Sequence, residues 1–139
     1  MEYVEGWTNN TVTDCNGMRV LGGHCKYSAG ESEKEYKNLP DHDSIRITGQ
    51  MLFLDTWNKE SAYIRVDGQI VWINMHPASG ANICGLEEVN DSVLSFDVKV
   101  VHSHSKLNLA FGSNLPEEPC EKSFGITGLA LWINSYEAV

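Results

Sequence analysis

The chain has 139 residues, the usual size of one domain, and 42% are hydrophobic, which suits a packed core and is too many for a disordered tail. Lys and Arg number 10 against 19 Asp and Glu, a formal charge of −9 that repels phosphate backbones and anionic membranes and sets nucleic acid aside as a partner. The longest apolar runs are short, such as Met51-Leu52-Phe53-Leu54, so no membrane insertion is expected.

The pattern along the chain has period two. Weak strands are expected over Met18 to Leu21 and Ser32 to Leu39. In Ser44 to Phe53 the odd positions from Ile45 onward are mostly apolar, the signature of a strand with one buried face. Ala62, Ile64 and Val66 alternate with Tyr63, Arg65 and Asp67, and Asp67-Gly68 then leads into Ile70-Val71-Trp72-Ile73. Asp-Gly between alternating hydrophobics marks a tight hairpin, because a type I′ turn needs φ > 0 at both central residues. Leu94, Phe96, Val98 and Val100 form the next apolar face, followed by Leu107, Leu109 and Phe111, and then by Leu129, Leu131 and Ile133. No segment of helical length carries an i, i+3, i+4, i+7 stripe.

About eight short antiparallel strands with turn signals between them describe an all-β sandwich, here taken as one domain over residues 1–139. The competing architecture is an up-and-down barrel. The tight Asp67-Gly68 turn beside long stretches from Asn74 to Asp91 and Gly112 to Ser123 argues for connections that cross between sheets, hence a jelly-roll order.

Cys15, Cys25, Cys84 and Cys120 contain no C-x-x-C pair, so a zinc ribbon or thioredoxin-like motif is unsupported. An even count in a loop-rich chain favours disulfides, expected as Cys15 with Cys25 and Cys84 with Cys120; four reduced thiols are the alternative. Asn9-Asn10-Thr11 and Asn90-Asp91-Ser92 fit the N-glycosylation pattern and lean the same way, towards a secreted or cell-surface glycoprotein. Met1-Glu2-Tyr3-Val4 lacks the profile of a signal peptide, so a leader is expected outside these residues.

Three stretches carry a resemblance. Glu5-Gly6-Trp7-Thr8 with Leu21-Gly22-Gly23 is similar to the first strands of jelly-roll ligand-binding modules. Leu39-Pro40-Asp41-His42-Asp43-Ser44-Ile45, then Asp55-Thr56-Trp57-Asn58-Lys59-Glu60, then Val66-Asp67-Gly68 and Val71-Trp72 resemble galactose-binding-domain-like modules of large extracellular and surface proteins, those of ciliates especially. Leu107 through Leu115 and Glu121 through Ile126 look like their closing strands, although Cys120 and Lys122 stand where acidic residues are expected. The resemblance implies the fold and a non-enzymatic, extracellular role; it names no ligand.

The loop from Asp55 to Glu60 is the first candidate site. Asp55, Asn58 and Glu60 offer oxygen ligands for a structural Ca²⁺, with Asp67, and Asp41 or Asp43, as further donors if the fold brings them near. The plainer alternative has Asp55 and Asn58 closing a turn and Glu60 solvated or paired with Lys59 or Arg65. Trp57 beside these groups, with Tyr63 as a second ring, has the minimum of a lectin-like sugar site: a flat aromatic face and polar groups that hold hydroxyls. Trp7 and Tyr36 are other candidate platforms, against the general tendency of tryptophan to be buried. His102-Ser103-His104 spaces two imidazoles for Zn²⁺ or Cu²⁺, with His76, His24 or His42 as third ligand, but is read as a solvated pair. No catalytic signature is present: Glu87-Glu88 and Glu117-Glu118 read as solvated acidic pairs. The expected function is non-catalytic binding, of a glycan or, alternatively, of an extracellular protein partner without a sugar site.

Overall fold

The computed structural model describes residues 6–15, 17–55, 57, 59–77, 91–115, 120, 122–134 and 136–138. Among these lie ten strands: β1 (Val12–Cys15), β2 (Met18–Tyr27), β3 (Gly30–Tyr36), β4 (Ser44–Asp55), β5 (Ser61–Val66), β6 (Gln69–Met75), β7 (Ser92–Val101), β8 (Leu107–Ser113), β9 (Lys122–Ile133) and β10 (Tyr136–Ala138). The first sheet runs β1-β2-β9-β4-β7 with β10 added beside β9, and the second runs β3-β8-β5-β6. Every pairing is antiparallel. Between β2 and β9 only the β5–β6 hairpin stays within one sheet; the other connections cross, which makes this a jelly-roll sandwich.

Alternation explains which side chains meet. On β4, Ile45, Ile47, Met51 and Phe53 point into the core, and Ile64, Val66, Leu107, Leu109 and Phe111 answer from the second sheet. Each such side chain, fully buried, contributes about 1.5–3 kcal/mol. Asp67 (φ 48°) and Gly68 (φ 85°) both take the left-handed region that the expected hairpin requires. Leu52 and Leu54, on the other face of β4, join Cys15 and Val20 in a smaller cluster roofed partly by Met18.

Four expectations need correction. β3 stops at Tyr36, and Leu39 packs against the core from outside the strand. β9 starts at Lys122, well before Leu129, and Ser123 to Thr127 are buried on both faces, which erases the alternation. Trp7 (4% exposed) and Tyr36 (7%) are core residues, not platforms. Lastly, Cys25 bonds to Cys120, so neither expected cysteine pairing forms. Cys15 is disulfide-bonded as well, and Cys84 lies outside the described residues.

Candidate functional site

The loop end of the sandwich is built on a break in β2. Pairing with β9 shifts register between Gly22 and Tyr27, and the intervening residues bulge out of the ladder. Gly22 permits this: its φ is +79°, and a Cβ there would lie 2.3 Å from the Tyr27 ring. The bulge delivers His24 towards Asp55 and Cys25, itself left-handed at φ 64°, to Cys120.

Asp55 ends β4 with φ 70° and is 1% exposed. Its Oδ2 lies 3.3 Å from His24 Nδ1, while its backbone N–H donates to Asp91 Oδ1 at 2.8 Å. A carboxylate removed from water needs such company. Trp57 is partly buried, and its Nε1–H is shared between the Leu54 carbonyl at 3.0 Å and the Ser123 carbonyl at 3.1 Å. Its ring meets Phe53 edge-on at 5.0 Å, so it plugs the end of the core. Glu60 accepts from Lys122 Nζ at 2.9 Å.

The structure therefore brings Asp55, Trp57 and Glu60 to one end and engages each of them there. Asn58 and Thr56 lie outside the described residues, as do Glu87, Glu88, Glu117 and Glu118. Asp67 sits at the other end of β5, on the order of 20 Å from Glu60 at ~3.3 Å per residue. There its Oδ1 accepts from the Asn108 N–H at 2.9 Å. Asp41 and Asp43 also belong to that far end, before β4 begins. A Ca²⁺ shared by Asp55, Glu60 and Asp67 does not fit this geometry. Among the described residues no group of three or more His, Cys, Asp or Glu side chains could hold a metal ion.

Tyr63 belongs to a different surface. Ala62, Ile64 and Val66 face the core, which turns Tyr63 and Arg65 onto the outer face of the second sheet. The neighbours of Tyr63 in the ladders are Gly112 on β8 and Ile73 on β6, and Gly112 in turn faces Glu31 on β3. The tyrosine ring leans across Gly112, where a Cβ would come within 2.6 Å of Cζ and the hydroxyl oxygen. The Tyr63 hydroxyl donates to Glu31 Oε2 at 2.7 Å, and Arg65 Nη1 lies 3.0 Å from the same oxygen. The Arg65 guanidinium also approaches the Tyr63 ring, 5.1 Å from its centroid. Burial first, and then the bond to Glu31, push the Tyr63 hydroxyl up to about 12, so it remains a donor at neutral pH.

Glu31 went unmarked in sequence because it stands 32 residues from Tyr63 and only the sheet order joins them. The alternation of Glu31, Glu33 and Glu35 as exposed positions on β3 was the available signal. The same outer face continues onto β6, where Ile70 (47%), Ile73 (53%) and Met75 (57%) are exposed.

Fold and site together define an antiparallel jelly-roll sandwich whose second sheet presents an outer face that is part aromatic, part charged and part apolar. No protein-family model and no curated protein matches the chain. Among solved structures the chain is similar to one described as "EclA C-terminal domain; sugar-binding protein", with a TM-score of 0.55 and 18% identity over 82% of this chain and 77% of that one. At this identity the likeness is one of fold. No helix among the described residues is long and apolar enough to cross a membrane.

Proposed function

We propose that the protein is a non-catalytic, secreted or cell-surface carbohydrate-binding module whose ligand surface is the outer face of the second sheet around Tyr63. The observation that carries this reading is the Glu31–Tyr63–Arg65 group over Gly112. An aromatic ring offers a pyranose its flat apolar side, while a carboxylate and a guanidinium held beside it take the hydroxyls. Ile73 and Met75 extend the apolar strip. The fold shared with a sugar-binding protein supports the reading, and the disulfide suits an oxidising compartment.

A glycan array with wild type, Tyr63→Ala and Tyr63→Phe tests it. Loss of the ring lowers affinity roughly 30-fold, the effect of about 2 kcal/mol at a binding hot spot, and Tyr63→Phe falls between. An array without hits, or unchanged binding by Tyr63→Ala, refutes the proposal. Trp57→Ala is the poorer test, because Trp57 holds the core end and its loss perturbs the fold.

A second reading rests on a separate feature. β6 is an edge strand without a charged residue, and an uncharged edge with exposed apolar side chains invites pairing with another strand. On this reading the chain is an interaction domain of an extracellular assembly. Light scattering then gives a mass above the monomer that Ile73→Lys reduces to monomer; a monomeric wild type at high concentration, with no partner strand bound, removes it.

A further inference from the structure

Two stretches fit the acceptor pattern for asparagine-linked glycans, and the fold treats them differently. In Asn90-Asp91-Ser92 the second and third residues are engaged in the core. Asp91 is 0% exposed, and its Oδ1 accepts from the Asp55 N–H at 2.8 Å. Ser92 is 4% exposed, opens β7 opposite Phe53 and directs its hydroxyl to the Pro77 carbonyl at 3.4 Å. Neither is free to be read by a modifying enzyme.

Asn9-Asn10-Thr11 stands just before β1, with Asn9 and Asn10 exposed and Thr11 half-buried. The backbone of Asn9 is anchored. Its N–H donates to Ser32 Oγ at 3.0 Å, and its carbonyl accepts from the Ser32 hydroxyl at 2.8 Å and from the Tyr27 hydroxyl. Burial pushes that tyrosine up to about 12, so it stays a donor at neutral pH. The side chain, by contrast, engages only its own turn. Asn9 Oδ1 accepts from the Thr11 N–H at 3.3 Å and from the Thr11 hydroxyl, the local bonding that asparagine favours in turns. No described residue accepts from Asn9 Nδ2. A group attached at that nitrogen therefore displaces no core contact.

We propose that Asn9 is the attachment site of an N-linked oligosaccharide, an inference that rests on the secreted or cell-surface reading. The donor is an oligosaccharide carried on a lipid diphosphate. Asn9 Nδ2 forms a bond to the anomeric carbon and gives up one proton, while the carbon–oxygen bond to the diphosphate breaks and the diphosphate leaves with the electron pair. The position gives the glycan a role. Thr8 and Asn9 run beside β3, with the Thr8 N–H on the Glu33 carbonyl at 2.9 Å and the Glu33 N–H on Thr8 Oγ1 at 3.0 Å. A glycan on Asn9 thus stands at the β3 edge of the second sheet and shields it from pairing with another chain. β6 is the opposite edge, three strand spacings or about 14 Å away, and stays open.

The test is to produce the chain behind a secretory leader in eukaryotic cells and weigh its peptides before and after enzymatic release of N-glycans by an amidase. Most wild-type molecules carry carbohydrate at Asn9, and the amidase converts that residue to aspartate. Thr11→Ser retains the glycan. Thr11→Ala loses it with an unchanged circular dichroism spectrum, because the Thr11 carbonyl still accepts from the Gly22 N–H at 2.8 Å. Protein bare at Asn9, or modified at Asn90 alone, overturns the proposal. The leader imposes the compartment, so that outcome leaves the carbohydrate-binding reading standing; a glycan array with Asn9→Gln probes that reading separately.

Discussion

Replacing Phe111 by alanine lowers the unfolding free energy by about 3–5 kcal/mol, roughly a fifth or more of the stability of an ordinary domain. Phe111 is 0% exposed and central in the second sheet, between β3 and β5. Its ring lies 5.4 Å from Trp7 and 6.0 Å from Phe96, and Phe96 continues to Trp72 at 5.8 Å. This line of rings joins the N-terminal segment, both sheets and the edge strand β6. Truncation in the middle leaves a cavity that the flanking ladders cannot close without shifting register, so transfer and cavity costs add. Urea unfolding checks it: the midpoint falls while the slope is unchanged. By contrast Ile73→Ala, on the exposed face, stays within about 0.5 kcal/mol. A Phe111→Ala loss below about 1 kcal/mol means that the two sheets do not meet at this ring.

The sandwich was legible wherever a strand buries one face. β5, β7 and the first half of β4 alternate in sequence because their other side is exposed or only partly buried, and the Asp67-Gly68 turn announced itself through its positive φ requirement. The early part of β9 showed no alternation for the opposite reason, and only the resemblance marked Glu121 through Ile126 as a closing strand: Ser123 to Thr127 are buried throughout, and a strand covered on both faces has no period to read. β1 was passed over although Asn16-Gly17, the same kind of hairpin dipeptide, stands between it and β2. Four residues are too few for alternation to register.

The candidate sites separate along the same physical line. Local neighbours were readable and cross-sheet partners were not. Tyr63 was marked as an aromatic, but its meaning comes from Glu31, which the order β3-β8-β5 sets beside it with Gly112 between. Asp55 and Glu60 looked like free oxygen donors because His24 and Lys122 reach them from strands distant in sequence. His102 looked solvated because Asp67 and His42 come from two other connections. Most strand pairings here are of this kind: apart from β1–β2, β5–β6 and β9–β10, adjacent strands are not successive in the chain.

The pairing of Cys25 with Cys120 carries the second large effect. The bond closes a sequence separation of 95 residues, and removing it as Cys25→Ser with Cys120→Ser costs about 2–5 kcal/mol, roughly 10 °C in melting temperature. The upper part of that range belongs to a loop closed by one bond alone; Cys15 is also disulfide-bonded, and a chain already restrained loses less entropy to a second closure. There is a local reason for the bond as well. β2 and β9 are neighbours, but their ladder is interrupted between Gly22 and Tyr27, where Cys25 and His24 bulge away. The disulfide ties the two strands together where their ladder is interrupted, and it holds His24 against the buried Asp55. Calorimetry of the double serine variant reads the loss, and non-reducing peptide mapping of wild type yields a linked pair of peptides containing Cys25 and Cys120. A map that instead links Cys15 to Cys25 would place the bulge, the Asp55 pair and the start of β9 elsewhere.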